Sequence, residues 1–319
     1  MADWTIVVPH QEVSRLEELI YGIPDPRLAA HVLTYTAHDY THTKRLRWRM
    51  TPLGAITVSL DIETPDRLVF SQESESGQRL PGSPVIGLRD RPMILEQAGK
   101  ACGINIAMTP LGAHALFGLP LGELAGASVG FTDLLGTRGH ELIERIAETR
   151  GWAARFRLLD ERFVSWLGDG PQLARPVQGA WQRLITSAGH TRISALADEI
   201  GWTRQHLNTR FREQIGLTPK TVARVWRLHR AASMMTRPSP PPWSDIALAC
   251  GYSDQSHLNR DFRMLTGGAP SEYFPVDPLR FLPADEASMV NTPSPACDPA
   301  LSPASPRPAR RPLAAGARA

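Results

Sequence analysis

The sequence predicts an α+β chain: a small N-terminal β-barrel or sandwich with helices, then an all-α C-terminal domain with two helix-turn-helix motifs joined by a long helix. Three observations carry this. Apolar and polar residues alternate with a period of two from about His31 to Ala107, as half-buried strands require. After Pro110 the period lengthens to that of helices. Between Ile193 and Tyr273 the chain then states nearly the same phrase twice.

In the first stretch, Ala55 to Ile62 alternates cleanly, and Arg67 to Phe70, Pro84 to Leu88 and Gly103 to Met108 read as further strands. Pro, Gly and Ser clusters at Thr51 to Gly54 and Leu80 to Pro84 supply the turns between them. Beyond Pro110, Gly112 to Phe117 and Leu121 to Ala125 read as short helical pieces, and Glu141 to Arg150 gathers Leu142, Ile143 and Ile146 on one side. From Ala153 to Leu167 an apolar stripe forms from Phe156, Leu159, Phe163, Trp166 and Leu167. A stripe of this kind is either core or a face for a second copy of the chain. The homodimer reading joins two N-terminal domains through it. Gly168, Asp169, Gly170 and Pro171 mark the best break between domains. The expected division is therefore 1–168 for an N-terminal sensor or dimerisation domain, 169–180 for a linker and the start of a helix, 181–282 for the double motif, and 283–319 for a Pro/Ala/Ser/Arg-rich tail too poor in apolar residues to fold.

The repeat pairs Leu196, Ala197, Gly201, Trp202, Leu207, Asn208, Phe211, Gly216 and Pro219 with Ile246, Ala247, Gly251, Tyr252, Leu258, Asn259, Phe262, Gly267 and Pro270. The offset is 50 residues up to the aromatic and 51 beyond it, so the second copy carries one extra residue. Each copy has a short helix with a small Ala where another helix can cross, then a Gly able to take a positive φ. A second helix follows with Leu and Phe four apart on its buried side and polar residues opposite. That polar face is what a recognition helix offers to the major groove. The helices expected to do so run from about Thr203 to Arg212 and from Asp254 to Arg263. Thr218 and Pro219 start the long connecting helix, which reaches Met235 before a Pro-rich stretch ends it.

Charge follows the same division. Residues 1–180 hold 18 Lys and Arg against 21 Asp and Glu, whereas residues 181–282 hold 13 against 8. Positive charge therefore sits on the repeat, where phosphates would be met. No apolar run is long enough to cross a bilayer, and the first ten residues do not read as a signal peptide. Cys102, Cys250 and Cys297 show no metal-ligand spacing and read as reduced thiols of a cytoplasmic protein. His38 and His42 have a spacing that suits a metal only on a helix, and they lie in strand-like sequence without an acidic or Cys partner. No phosphate-cradling loop or nucleophile elbow is present, so an enzyme, metal-dependent or otherwise, is not expected, and no cofactor or metal is assigned.

The phrase Ile246 to Phe262, with Gly267 to Tyr273, resembles the second motif and closing signature of AraC/XylS-type transcription regulators. Residues from about Trp181 to Phe281 share that likeness, roughly a third of the chain. Met108 to Pro120 and Leu134 to Gly136 resemble, less specifically, the sensor-like region of one subgroup of these proteins. Pro238 to Pro242 departs from the pattern as a longer, stiffer approach to the second motif. The resemblance implies a seven-helix domain with two recognition helices on one side. It assigns base reading to Gln205, Asn208, Thr209, Gln255, Ser256, Asn259 and Arg260. It assigns phosphate contacts to Arg204, Arg210, Arg212 and Arg263. The partners it implies are double-stranded DNA, RNA polymerase and a small-molecule effector at the N-terminal domain, with activation favoured over repression. An architectural DNA-binding protein without ligand input is the alternative.

Overall fold

A computed structural model describes residues 7–9, 19–71, 74–237 and 239–273. Its N-terminal part is an antiparallel sheet built from β1 (Val7–Pro9), β2 (Leu19–Gly22), β3 (Val32–Met50), β4 (Ile56–Glu63), β5 (Asp66–Ser71), β6 (Ser74–Arg79), β7 (Pro84–Ile86), β8 (Met93–Met108) and β9 (Ser128–Gly130). The long strands β3 and β8 form its spine, in register from Val32 opposite Met108 to Met50 opposite Met93. β1 and β2 pair with the outer edge of β3. The other edge of β8 takes β4 over Cys102 to Met108 and β5 over Ile94 to Ala98. β7 and β9 extend the sheet beyond β4, and β6 beyond β5. Register shifts between His42 and Leu46 and between Asp61 and Glu63 bend the spine.

The period-two pattern sorts the faces. Tyr35, Ala37, Val58, Leu60, Ile104 and Ile106 are all buried on one side of the sheet. They meet four helices: α1 (Pro110–Phe117), α2 (Phe131–Leu135), α3 (Thr137–Glu148) and α4 (Trp152–Gly168). The stripe on α4 is core of its own chain and not a face for a second copy, which corrects the homodimer assignment made to it. Phe156, Leu159, Phe163 and Leu167 are buried, and only Trp166 is half-exposed. Phe156 stacks on Tyr35 with ring centroids 5.6 Å apart, and the Tyr35 hydroxyl donates to Asp160 Oδ1 at 2.9 Å.

The helical part comprises α5 (Arg175–Thr186), α6 (Ile193–Glu199), α7 (Arg204–Ile215), α8 (Pro219–Met235), α9 (Trp243–Ala249), α10 (Gln255–Thr266) and α11 (Pro270–Tyr273). The Gly168 to Pro171 break falls between α4 and α5, but the hydrophobic core does not break with it. One continuous buried cluster runs from the sheet through Phe163 and Trp181 to Phe211, Val222 and Trp226. A second, separate cluster holds Val225, Leu228, Ala232, Met235, Ile246, Leu258, Phe262 and Leu265. Helix α8 belongs to both, burying Val222 and Trp226 in one and Val225 and Leu228 in the other.

Cys250 is a free, buried thiol as read from the sequence, and Cys297 lies outside the described residues. Among the described residues no helix is long and apolar enough to cross a membrane. The expected tail, 283–319, lies outside the described residues.

Candidate nucleic-acid interface

Both recognition helices are built by the same local devices. Gly201 and Gly251 take φ of +71° and +77°, which lets the chain turn sharply between the two helices of each motif. Thr203 caps α7, its hydroxyl accepting from the His206 amide at 3.1 Å. Asp254 caps α10 in the same way, accepting from the His257 amide at 2.7 Å. That bond and one from the Ser253 hydroxyl hold the Asp254 carboxyl below the usual carboxylate range. The extra residue of the second copy is Ser253, which stands between the turn aromatic and the cap. The aromatic and a histidine pack edge to face in both copies, Trp202 with His206 at 4.5 Å and Tyr252 with His257 at 5.2 Å. Leu207 and Phe211, and likewise Leu258 and Phe262, are buried beneath their helices.

The opposite faces carry the residues singled out from the sequence. On α7, Arg204, Gln205, Asn208, Thr209 and Arg212 are exposed. On α10, Gln255, Ser256, Arg260 and Arg263 are exposed and Asn259 is half-buried. Amide side chains can bond adenine N6 and N7 together, and a guanidinium can bond guanine O6 and N7. Arg210 differs from its neighbours. It is half-buried and ion-paired with Glu213 at 2.8 Å, so a phosphate would have to compete for it.

The environments of the two helices differ more than their sequences do. The C-terminal end of α7 abuts the N-terminal part. A methyl group added at Gly122 would lie 3.1 Å from the carbonyl oxygens of Arg212 and Glu213, and one at Gly216 would lie 2.9 Å from that of Leu121. The Ala174 amide donates to Gln214 Oε1 at 2.9 Å. Asn208, Thr209 and Arg212 line a crevice of about 640 Å³ that Gly122 and Ala125 close from the other side. Nothing in the repeat indicated this contact, because its partner lies some ninety residues upstream.

A helix-turn-helix domain family matches residues 196–275. The HTH-type transcriptional activator RhaS of Escherichia coli is 32% identical over 78 residues, which are 24% of this chain and 28% of that protein. The C-terminal region is a helix-turn-helix domain of the AraC/XylS type. The chain thus spans less than a third of the curated relatives it matches. A probable AraC family transcriptional regulator from Rhodopseudomonas palustris is similar at 24% identity over 32% of this chain and 95% of that one, with a TM-score of 0.29. ToxT from Vibrio cholerae covers 75% of this chain and 96% of its own at 12% identity, with a TM-score of 0.42.

Proposed function

We propose that this protein is a sequence-specific DNA-binding transcription regulator that takes a small-molecule signal through its N-terminal sheet and acts as an activator. The observation that carries the DNA-binding part is the paired exposure of amide, hydroxyl and Arg side chains on two capped recognition helices of one chain. One chain then supplies both readers, so its site is asymmetric and spans about two helical turns. The division at 168, with the double motif at 181–282, is part of this reading. RNA polymerase is the partner that activation would require. Dimerisation, if used, has to employ a surface other than the α4 stripe.

A buried polar cluster supports the signal. On the sheet face opposite the helices, Arg67 binds both oxygens of Asp61, at 2.7 and 2.9 Å, and donates to Gln97 at 3.1 Å. Gln97 in turn donates to the Tyr40 hydroxyl at 3.2 Å. Beside them His38 is almost fully buried, and its Nε2 has no hydrogen-bond partner. Burial pulls its pKa down to about 4, so the ring is neutral at pH 7. A small ligand with hydroxyl or amide groups is the chemistry such a face would recognise. The route from there to DNA is the shared core and the contact of residues 121–125 with α7.

Selection of duplexes from a random pool by the full chain tests the reading. The expected product is one two-part, non-palindromic sequence protected over about two turns. Uniform, strongly salt-dependent binding to every duplex would instead indicate an architectural protein. Palindromic sites or single-groove footprints would refute the use of both helices of one chain.

A further inference from the structure

Arg210 and Asp261 hold equivalent positions in the two copies of the motif, toward the buried side of the recognition helix. Arg210 is held by Glu213 of its own helix, whereas Asp261 is 6% exposed and turned toward α8. Arg224 of α8 reaches Asp261 Oδ1 with Nε at 3.1 Å and Nη2 at 3.0 Å. One turn along, Arg227 lies 3.6 Å from Oδ2, and its guanidinium covers the Tyr252 ring at 5.0 Å from the centroid. Arg224 also reaches Met264 Sδ at 2.9 Å. Arg224 of α8 therefore holds a carboxylate of α10 by hydrogen bond, with Arg227 in ion-pair range of the same group, one residue after Arg260 and two after Asn259.

We propose that Asp261 is a positioning residue: through Arg224 and Arg227 it fixes the second recognition helix on the helix shared by both motifs, and so sets the register between the two halves of the DNA site. Three features support this. Apolar packing by Leu258, Phe262 and Leu265 holds α10 down, yet it allows rotation and sliding that directional charge-assisted hydrogen bonds oppose. The anchor is on α8, which also packs into the core of the first motif. A buried ion group contributes little net stability compared with apolar side chains of the same volume, so specificity of arrangement is the property it can supply. The inference rests on the DNA-binding reading above.

The test compares the full chain with Asp261→Asn and with the apolar pair Arg224→Met/Asp261→Leu, each selected on random duplexes and on duplexes with altered half-site spacing. Thermal unfolding is measured alongside. The expected result for the apolar pair is a melting temperature close to that of the natural chain, unchanged preference in the first half-site, and roughly tenfold or greater loss of discrimination in the second. Binding should also tolerate spacings changed by one base pair. Asp261→Asn should move in the same direction by less, and it keeps the question decidable should the double variant not fold. Sharp second-half preference and strict spacing in folded variants would overturn the proposal. If the natural chain itself selects no sequence, the DNA-binding reading fails and the positioning role with it.

Discussion

The two helix-turn-helix motifs are alike in sequence and unlike in attachment. The first shares its hydrophobic core with the N-terminal sheet, packs Phe211 tilted against Trp181 at 6.4 Å, and rests the end of its recognition helix on residues 121–125. The second has a core of its own and is held by a buried Asp–Arg group on α8. Duplication supplied two readers of the same design, and their surroundings assign them different work. On the proposed function, the first would feel the state of the N-terminal part, and the second would read DNA in a fixed relation to the first.

The largest effect that separates them is core truncation. Phe211→Ala and Phe262→Ala should each cost about 3–5 kcal/mol, since both remove a buried ring. Their reach should differ. Loss of Phe211 should speed amide exchange in the sheet and α4 as well as α7, while loss of Phe262 should do so only in α8 to α10. Exchange read by mass spectrometry decides it, and equal spread from both sites would erase the distinction. Phe163→Glu belongs with the first group, and it should unfold the N-terminal part without releasing a folded monomer.

Acid should discriminate next. The folded pKa of His38 lies at about 4, below the ordinary value near 6.5, so the unfolded chain takes the proton first as pH falls. Stability from this group is complete above pH 6.5 and is lost progressively down to pH 4, on the order of 3 kcal/mol. Because the sheet and the first motif share a core, both should loosen over that window while the second motif keeps its protection. His38→Phe should flatten the dependence. If the second motif loosens equally, the two cores are not independent.

Base reading gives a smaller and more local contrast. Arg260→Ala should cost about 1–3 kcal/mol at its preferred site and relax one base pair, as loss of a bidentate contact does. Arg212→Ala should weaken binding to all sequences alike and reduce the salt dependence. An unchanged preferred sequence for Arg260→Ala would remove it from the base-reading set.

These contrasts also mark what the sequence could convey. The elements were legible because each rests on local rules: alternation for the strands, Thr218 and Pro219 for the start of α8, the Gly-aromatic turn for both motifs. The exposed recognition faces followed from the spacing of Leu and Phe. The α4 stripe could not be resolved from spacing, because core and interface leave the same periodicity, and Phe156 found Tyr35 of its own chain. The Asp61–Arg67–Gln97 group joins three strands and had no local signal. Asp261 did leave one, an acidic residue on the buried side of a helix, with Arg224 and Arg227 three apart on the long helix α8.

The smallest predicted effect concerns how each recognition helix begins. The Thr203 hydroxyl accepts from the His206 amide, one of four amides that the first turn leaves without a helical partner. Thr203→Ala should therefore cost about 1 kcal/mol, and Thr203→Ser should recover most of it. The other end of α7 is fastened by Gln214 and by the close approach of Gly122, so the loss should appear only as faster exchange at the first turn. Among the described residues, helix α10 shows no such second fastening to the N-terminal part. Removing its cap in Asp254→Ala should let the disturbance run further along the helix, toward the clamp at Asp261. Residue-resolved exchange along both helices makes the comparison directly. If fraying stops after one turn in both, contact with the N-terminal part does not stiffen the first recognition helix, and the route proposed for the signal loses its mechanical basis.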